Sequence, residues 1–216
     1  MQRRSLVALM MSPLAGVTSI ARAQSDTGKN KDGARPFRSV KVPGDSRNIF
    51  FFFDYACPFC AIYHEPFQNF VATAPKQIQT IFVPVVNTSD THRFKEQVIA
   101  AKCHYAATLV ASREQMRVFS RAVYNEYPNV GSLMEKRLWI SALKASGINK
   151  QKFDEKLRDD GTNIFIKFAA KKKLDYTLET TPSVAVGGRY VITPNDVLGD
   201  KIMFFNILNG LTSEII

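Results

Sequence analysis

The feature that most constrains this chain is the join between an apolar run and a pair of cysteines. Asn48 to Phe53 (NIFFFF) is a continuous apolar run, the pattern of a strand buried on both faces. Shortly after it, Cys57-Pro58-Phe59-Cys60 opens a stretch from Pro58 to Ala72 that reads as a helix, with Pro66 predicted to kink it.

A strand that delivers a cysteine to the start of a helix has a chemical consequence. A thiolate there faces unpaired backbone N–H groups and the positive end of the helix dipole. Its pKa falls, and more of it is nucleophilic near neutral pH. Pro58 suits the first helical position, where a missing N–H is no loss. The two-residue spacing lets Cys60 reach back and resolve a mixed disulfide. Other uses of the pair fit less well. Zinc usually takes four ligands, and with no second C-x-x-C in the chain, His64 and Cys103 would have to complete an improvised set. A structural staple across two residues is a short, strained loop. Cys57 and Cys60 are therefore the candidate catalytic residues, and no metal and no cofactor beyond their own disulfide is expected.

The rest of the chain supplies a setting for the pair. Phe37 to Val42 reads as a short edge strand followed by a Pro43-Gly44-Asp45 turn, and Gln77 to Val86 as a further strand. Helical patterns follow over Phe94 to Ala111, Glu114 to Tyr124, Leu133 to Ala145, Lys150 to Leu157 and Asn163 to Lys173, punctuated by Gly131, Gly147 and Gly161. Strand patterns return at Ser183 to Val186 and Tyr190 to Ile192 around Gly187-Gly188, a hairpin signal, and a last helix is expected from Asn195 to Leu208. The order is that of an α/β fold interrupted by a helical insert.

The N-terminus reads as an export signal. Arg3 and Arg4 precede the mostly apolar stretch Ser5 to Ile20, and Ala21-Arg22-Ala23 offers small residues for cleavage after Ala23. The apolar stretch is shorter than the roughly 20 residues that a membrane span needs. Export implies an oxidising compartment, where disulfide chemistry is meaningful. Residues 24–36 are polar and read as a flexible leader. The formal charge of +10 falls to +7 once the signal, with its three arginines and no acid, is removed. Such a balance could favour acidic partners or an anionic membrane, but no basic-aromatic motif accompanies it, and nucleic-acid binding is not expected.

A second signature, Thr180-Thr181-Pro182-Ser183, stands just before the hairpin. With the first, it makes a resemblance nameable. The chain resembles the DsbA family of periplasmic disulfide oxidoreductases: residues Phe50 to Phe67 (FFFFDYACPFCAIYHEPF) are similar to the family's strand, C-P-x-C and kinked helix, and Thr181 to Pro194 (TPSVAVGGRYVITP) to its cis-proline hairpin. The likeness spans roughly residues 40–210 and is architectural in the middle.

The resemblance implies a thioredoxin fold with an inserted helical domain. Residues 37–91 and 176–216 would form the thioredoxin-like part and 92–175 the insert. It implies that Cys57 is the exposed nucleophile and Cys60 its buried partner, with Pro58, Phe59, Thr181 and Pro182 contacting an extended substrate. It implies a monomeric periplasmic oxidase that donates its disulfide to reduced, unfolded proteins and is reoxidised by a membrane partner of the DsbB type. The alternatives are an isomerase or reductase of the same fold, or a binding module or chaperone with a structural or metal-binding C-x-x-C. The sequence departs from the family at Phe59, where the best-known members carry His, and at Phe51, where related strands often carry a buried acid. Thr181 before the proline is closer to isomerases, but only about 25 residues precede the first buried strand of the mature chain, too few for an added dimerisation domain.

The remaining candidates have blander readings. Asp54 is expected to face solvent, His64 to lie on the surface, Cys103 and Trp139 to be core, and the run Lys171-Lys172-Lys173 to be solvated. His92 and His104 have no evident partner. Tyr55, Phe59 and Tyr63 are expected at an apolar rim or in the core.

Overall fold

The computed structural model describes residues 35–90 and 93–216. The expected signal peptide, nearly all of the expected leader, and His92 lie outside the described residues. Among the described residues, no helix is long and apolar enough to cross a membrane.

Five strands form one mixed sheet: β1 (Arg38–Ser39), β2 (Asn48–Phe53), β3 (Gln79–Pro84), β4 (Ser183–Val186) and β5 (Tyr190–Ile192), in the spatial order β1-β5-β4-β2-β3. β2 and β3 are parallel and joined by α1 (Pro58–Thr73); β2 with β4, β4 with β5, and β5 with β1 are antiparallel. Among the described residues, five helices lie between β3 and β4: α2 (Phe94–Thr108), α3 (Arg113–Val130), α4 (Lys136–Ser146), α5 (Lys150–Leu157) and α6 (Gly161–Asp175). A 3₁₀ turn (Pro194–Val197) and α7 (Lys201–Ser213) close the chain.

The unbroken apolar run of β2 follows from its place in the sheet. Successive strand residues point to opposite faces, and here both faces are covered. Ile49 and Phe51 pack with Phe67 and Phe70 of α1 and with Phe204 and Leu208 of α7. Phe50 and Phe52 pack on the other face with Ala101 of α2, Ala169 of α6 and Tyr176. Phe51, where an acid would have been an option, instead stacks on Phe82 at 4.9 Å. A third cluster gathers Phe53, Tyr55 and Cys60 with Phe119, Leu138 and Trp139 of the inserted helices. The described helices therefore pack directly on the chain segment that carries the cysteines. Cys103 and Trp139 are core, as expected.

Several boundaries differ from the sequence reading. Only Arg38–Ser39 of the expected Phe37–Val42 strand is regular, although the Val40 and Val42 N–H groups still donate to the carbonyls of Arg189 and Gly188, both at 2.8 Å. The last helix is divided because Leu198 and Gly199 turn to positive φ (+53° and +81°), after which Asp200 caps α7 by accepting the Met203 N–H at 3.0 Å. α4 begins at Lys136 rather than Leu133, because the Glu96 carboxylate holds the Leu133 N–H at 3.2 Å and keeps that segment as a turn. Gly187 and Gly188 both adopt positive φ, as a tight two-residue hairpin requires, and a Cβ on Gly188 would run into the Val42 carbonyl. Lys172 is not solvated as expected. It is mostly buried, paired with the buried Asp45 carboxylate, which also accepts from the Tyr176 hydroxyl at 2.7 Å, and its ammonium lies 5.1 Å above the Phe50 ring. An aromatic floor and a carboxylate together explain why a lysine at a helix end turns inward.

Candidate active site

Cys57 sits at the end of the loop leaving β2 and is the N-cap of α1, with Pro58 at the first helical position. Its side chain forms none of the capping hydrogen bonds that serine or aspartate would make there, which leaves the sulfur available for chemistry. Cys60, one turn into α1, is 1 % exposed. Both are free thiols in this structure.

The two sulfurs are electrostatically unequal. The Cys57 thiol is lowered from its ordinary 9.0 to about 6, chiefly because the Cys60 thiol donates a hydrogen bond to it. Partial burial opposes this, while the Thr181 side chain and the backbone N–H groups of Cys60 and Phe59 reinforce it. Cys60 moves strongly the other way, because it is buried and because its proton is held by Cys57. A hydrogen bond to the charged form lowers one pKa, and the same bond raises the donor's.

The Thr181–Pro182 peptide is cis and lies against the pair. The Cys57 thiol donates to the Thr181 carbonyl at 3.2 Å. As a thiolate it would repel that oxygen, and the Thr181 hydroxyl is then the group that donates to it. Thr181 thus offers a partner for either ionisation state of Cys57.

On one side of the sulfurs, Phe59, Ile62, Tyr63, Thr181, Pro182 and Lys201 line a cleft of about 440 Å³. Phe59 is 60 % exposed and Ile62 50 % exposed, so the apolar rim is real at those positions. Tyr63 is buried in the core yet borders the cleft, and Tyr55 is core only. A second cavity, of about 320 Å³, lies behind Cys60 between Phe53, Phe67, Phe82 and Tyr124 and does not include Cys57 among its walls.

Three expectations about nearby polar residues are corrected. Asp54 does not face solvent. It is 6 % exposed, and its carboxylate accepts from the Ala56 N–H at 2.8 Å, from Arg93 Nη2 at 2.9 Å and from Gln97 Nε2 at 3.3 Å. His64 is buried rather than superficial, donates from Nε2 to the Arg117 carbonyl at 3.1 Å, and has its pKa lowered by burial. His104 does have a partner: its Nδ1 is 2.9 Å from the Tyr55 hydroxyl, which is also 2.9 Å from Ser120 Oγ. Burial pushes His104 down to about 3, so it stays neutral. In each case the contact joins the helical insert to the β2–α1 segment, so no local pattern in the sequence pointed to it. Among the described residues, no three His, Cys, Asp or Glu side chains converge as a metal-ligand group.

Comparison with known proteins places these observations in a wider setting. A family model described as Thioredoxin matches residues 45–199. The chain is similar to the thiol:disulfide interchange protein DsbA of Burkholderia cepacia, at 22 % identity over 88 % of this chain and 86 % of that one. It is similar to the DsbA of Bordetella pertussis, also at 22 %, over 92 % and 93 %. Among solved structures, Pseudomonas aeruginosa DsbA superimposes with a TM-score of 0.68 at 14 % identity, covering 83 % of this chain and 92 % of that one. A cysteine variant of Proteus mirabilis DsbA with a non-covalently bound peptide, PWATCDS, superimposes with a TM-score of 0.66 at 12 % identity over 84 % and 96 %.

Proposed function

The chain belongs to the thioredoxin family, and from that premise we propose that it is a DsbA-like thiol:disulfide oxidoreductase that hands its Cys57–Cys60 disulfide to reduced, unfolded proteins in the periplasm. The observation that carries this reading is the split between the two sulfurs: Cys57 is partly exposed with a pKa of about 6, while Cys60 is buried and held protonated.

The split fixes the direction of each step. In the oxidised protein, a substrate thiolate attacks Cys57 Sγ, the sulfur that can be reached. The Cys57–Cys60 bond breaks, and Cys60 leaves with the electron pair and takes up a proton. A second substrate thiolate then attacks the substrate sulfur of the mixed disulfide. Cys57 leaves as a thiolate, a good leaving group because its pKa is low. The substrate has lost two electrons and the dithiol has gained them. Pro58, Phe59, Thr181 and Pro182 would border the substrate, with Phe59 and Ile62 offering apolar contact. An extended peptide laid along the Thr181–Pro182 backbone is a familiar mode of recognition. No group other than the two sulfurs carries electrons in this scheme.

The finer parts of the reading rest on the sequence. The Arg3-Arg4 start and the Ala21-Arg22-Ala23 site support export after cleavage of residues 1–23, with 24–36 as leader. Residues 37–91 and 176–216 are taken as the catalytic domain and 92–175 as the insert. Reoxidation by a membrane partner of the DsbB type and a monomeric state complete the proposal.

Oxidative refolding of a reduced model substrate tests it. The oxidised protein should accelerate disulfide formation and Cys57→Ser should abolish the effect; retained activity in that variant would sink the reading. The redox potential separates oxidase from reductase: about −120 mV marks an oxidant and about −270 mV a reductant.

A further inference from the structure

Asp54 makes three contacts that converge on the turn carrying both sulfurs. Its Oδ1 accepts the Ala56 N–H at 2.8 Å, its carbonyl accepts the Cys57 N–H at 3.0 Å, and its own peptide N–H is directed at the Cys60 sulfur. Its other carboxylate oxygen faces away, toward the helical insert, where Arg93 Nη2 and Gln97 Nε2 donate to it. Arg93 is the N-cap residue of α2 and Gln97 lies in its first turns. Both are themselves oriented: the Arg93 N–H donates to Asp90 Oδ1 at 3.1 Å, and Gln97 Oε1 accepts the Asn87 N–H at 2.8 Å.

The charge on Asp54 is therefore buried beside a dithiol that must itself become anionic, and Arg93 is its counterion. Other charged groups around the same small polar pit are Asp90, Lys173 and Glu179, next to Thr180 and Thr181. The phenols of Tyr124 and Tyr127, on α3, both sense the Asp54 charge, and Tyr124 senses the two cysteines as well. Glu96 on α2 also faces Tyr127. All of these groups share one electrostatic neighbourhood.

We propose that the Asp54–Arg93 pair is a positioning device through which the helical insert sets the reactivity of the Cys57–Cys60 dithiol. Asp54 fixes the geometry of the turn, and Arg93 cancels the negative charge this requires. The inference rests on the dithiol reading of the preceding subsection. Its consequence is a pair of opposite effects. If Arg93 loses its charge, the Asp54 carboxylate stands uncompensated near the thiolate, which becomes harder to form. If Asp54 becomes Asn, the shape and most hydrogen bonds persist, the Arg93 cation loses its nearest carboxylate, and the thiolate becomes easier to form. A tie that served only stability would weaken the fold in both variants without reversing the sign at Cys57.

The test compares the unaltered protein with Asp54→Asn, Arg93→Gln, Arg93→Lys and the Asp54→Asn/Arg93→Gln double variant. Two quantities are read: the Cys57 thiolate titration, from ultraviolet absorbance and alkylation rate, and the equilibrium constant with glutathione. Arg93→Gln should raise the Cys57 pKa and move the equilibrium roughly threefold or more toward the oxidised protein, and Asp54→Asn should move both the other way. Arg93→Lys should recover most of the unaltered behaviour, and the double variant should return to within about twofold of it, since coupled residues are not additive. Shifts of the two single variants in the same direction, or either one within about twofold of the unaltered protein, would overturn the proposal. If the unaltered protein itself shows no acid-shifted Cys57, the dithiol reading fails and this inference with it; if it shows one and the single variants match it, only this inference fails.

Discussion

The Cys57 sulfur lies 3.2 Å from the carbonyl oxygen of Thr181, a residue 124 positions further along the chain. The contact joins the start of α1 to the loop before β4. It exists because β2 and β4 are neighbours in the sheet, paired antiparallel from Ile49 with Val186 to Phe52 with Ser183. Sheet register thus brings Cys57 and the cis-proline loop together at one end of the sheet.

The inequality of the two thiols ties the ionisation of Cys57 to Cys60. Its hydrogen bond is the largest influence lowering the Cys57 pKa. Cys60→Ala should therefore raise the Cys57 pKa from about 6 by at least ~1 unit and slow alkylation at mildly acidic pH roughly tenfold or more. Iodoacetamide trapping across a pH series measures this, and an unchanged midpoint would show that the helix start and Thr181 suffice without it.

Redox state and pH should be linked in stability. In the folded reduced protein, Cys57 ionises near about 6 instead of its ordinary 9.0. Between those values the unfolded chain binds the extra proton, so the reduced protein gains stability as pH rises through that window and loses it as pH falls through about 6. The oxidised protein has no such thiol. The melting temperature of the reduced form should therefore rise relative to that of the oxidised form between about pH 6 and about pH 9. Paired thermal scans of the two forms read the difference, and a constant gap would contradict a thiolate in the native state.

The buried Tyr55 hydroxyl joins the active-site loop to α2 and α3 through His104 and Ser120. Tyr55→Phe keeps the ring but leaves both partners without it, and should cost about 1–3 kcal/mol of stability. Urea unfolding measures that loss. Because burial holds His104 down to about 3, the unfolded chain takes up that proton first on acidification, and stability should fall as pH drops from about 6.5 toward 3.

The sequence is most legible where one stretch of chain decides the outcome. The NIFFFF run encodes its double burial directly, the Gly187-Gly188 pair encodes the hairpin, and Cys57-Pro58 encodes a helix start. These local signals carry an α/β arrangement, and the resemblance of Phe50–Phe67 and Thr181–Pro194 to the DsbA family implies the thioredoxin fold. What stayed hidden depends on residues far apart in sequence. Asp54 is only an acid near a cysteine until Arg93 and Gln97 arrive from α2. Lys172 is one of three consecutive lysines until the sheet places Asp45 and Phe50 beneath it. His104 has a partner only because α2 packs on the loop that holds Tyr55. Local periodicity carries burial and turn chemistry, but polar side chains choose partners in three dimensions.

Cys103 is 4 % exposed on α2, and its thiol is held protonated by burial. A chain with three cysteines has three possible internal disulfides, two of which would tie up Cys57 or Cys60 with Cys103. With the third walled off, the proposed cycle would move a single pair of electrons through Cys57 and Cys60, and scrambling would demand prior unfolding.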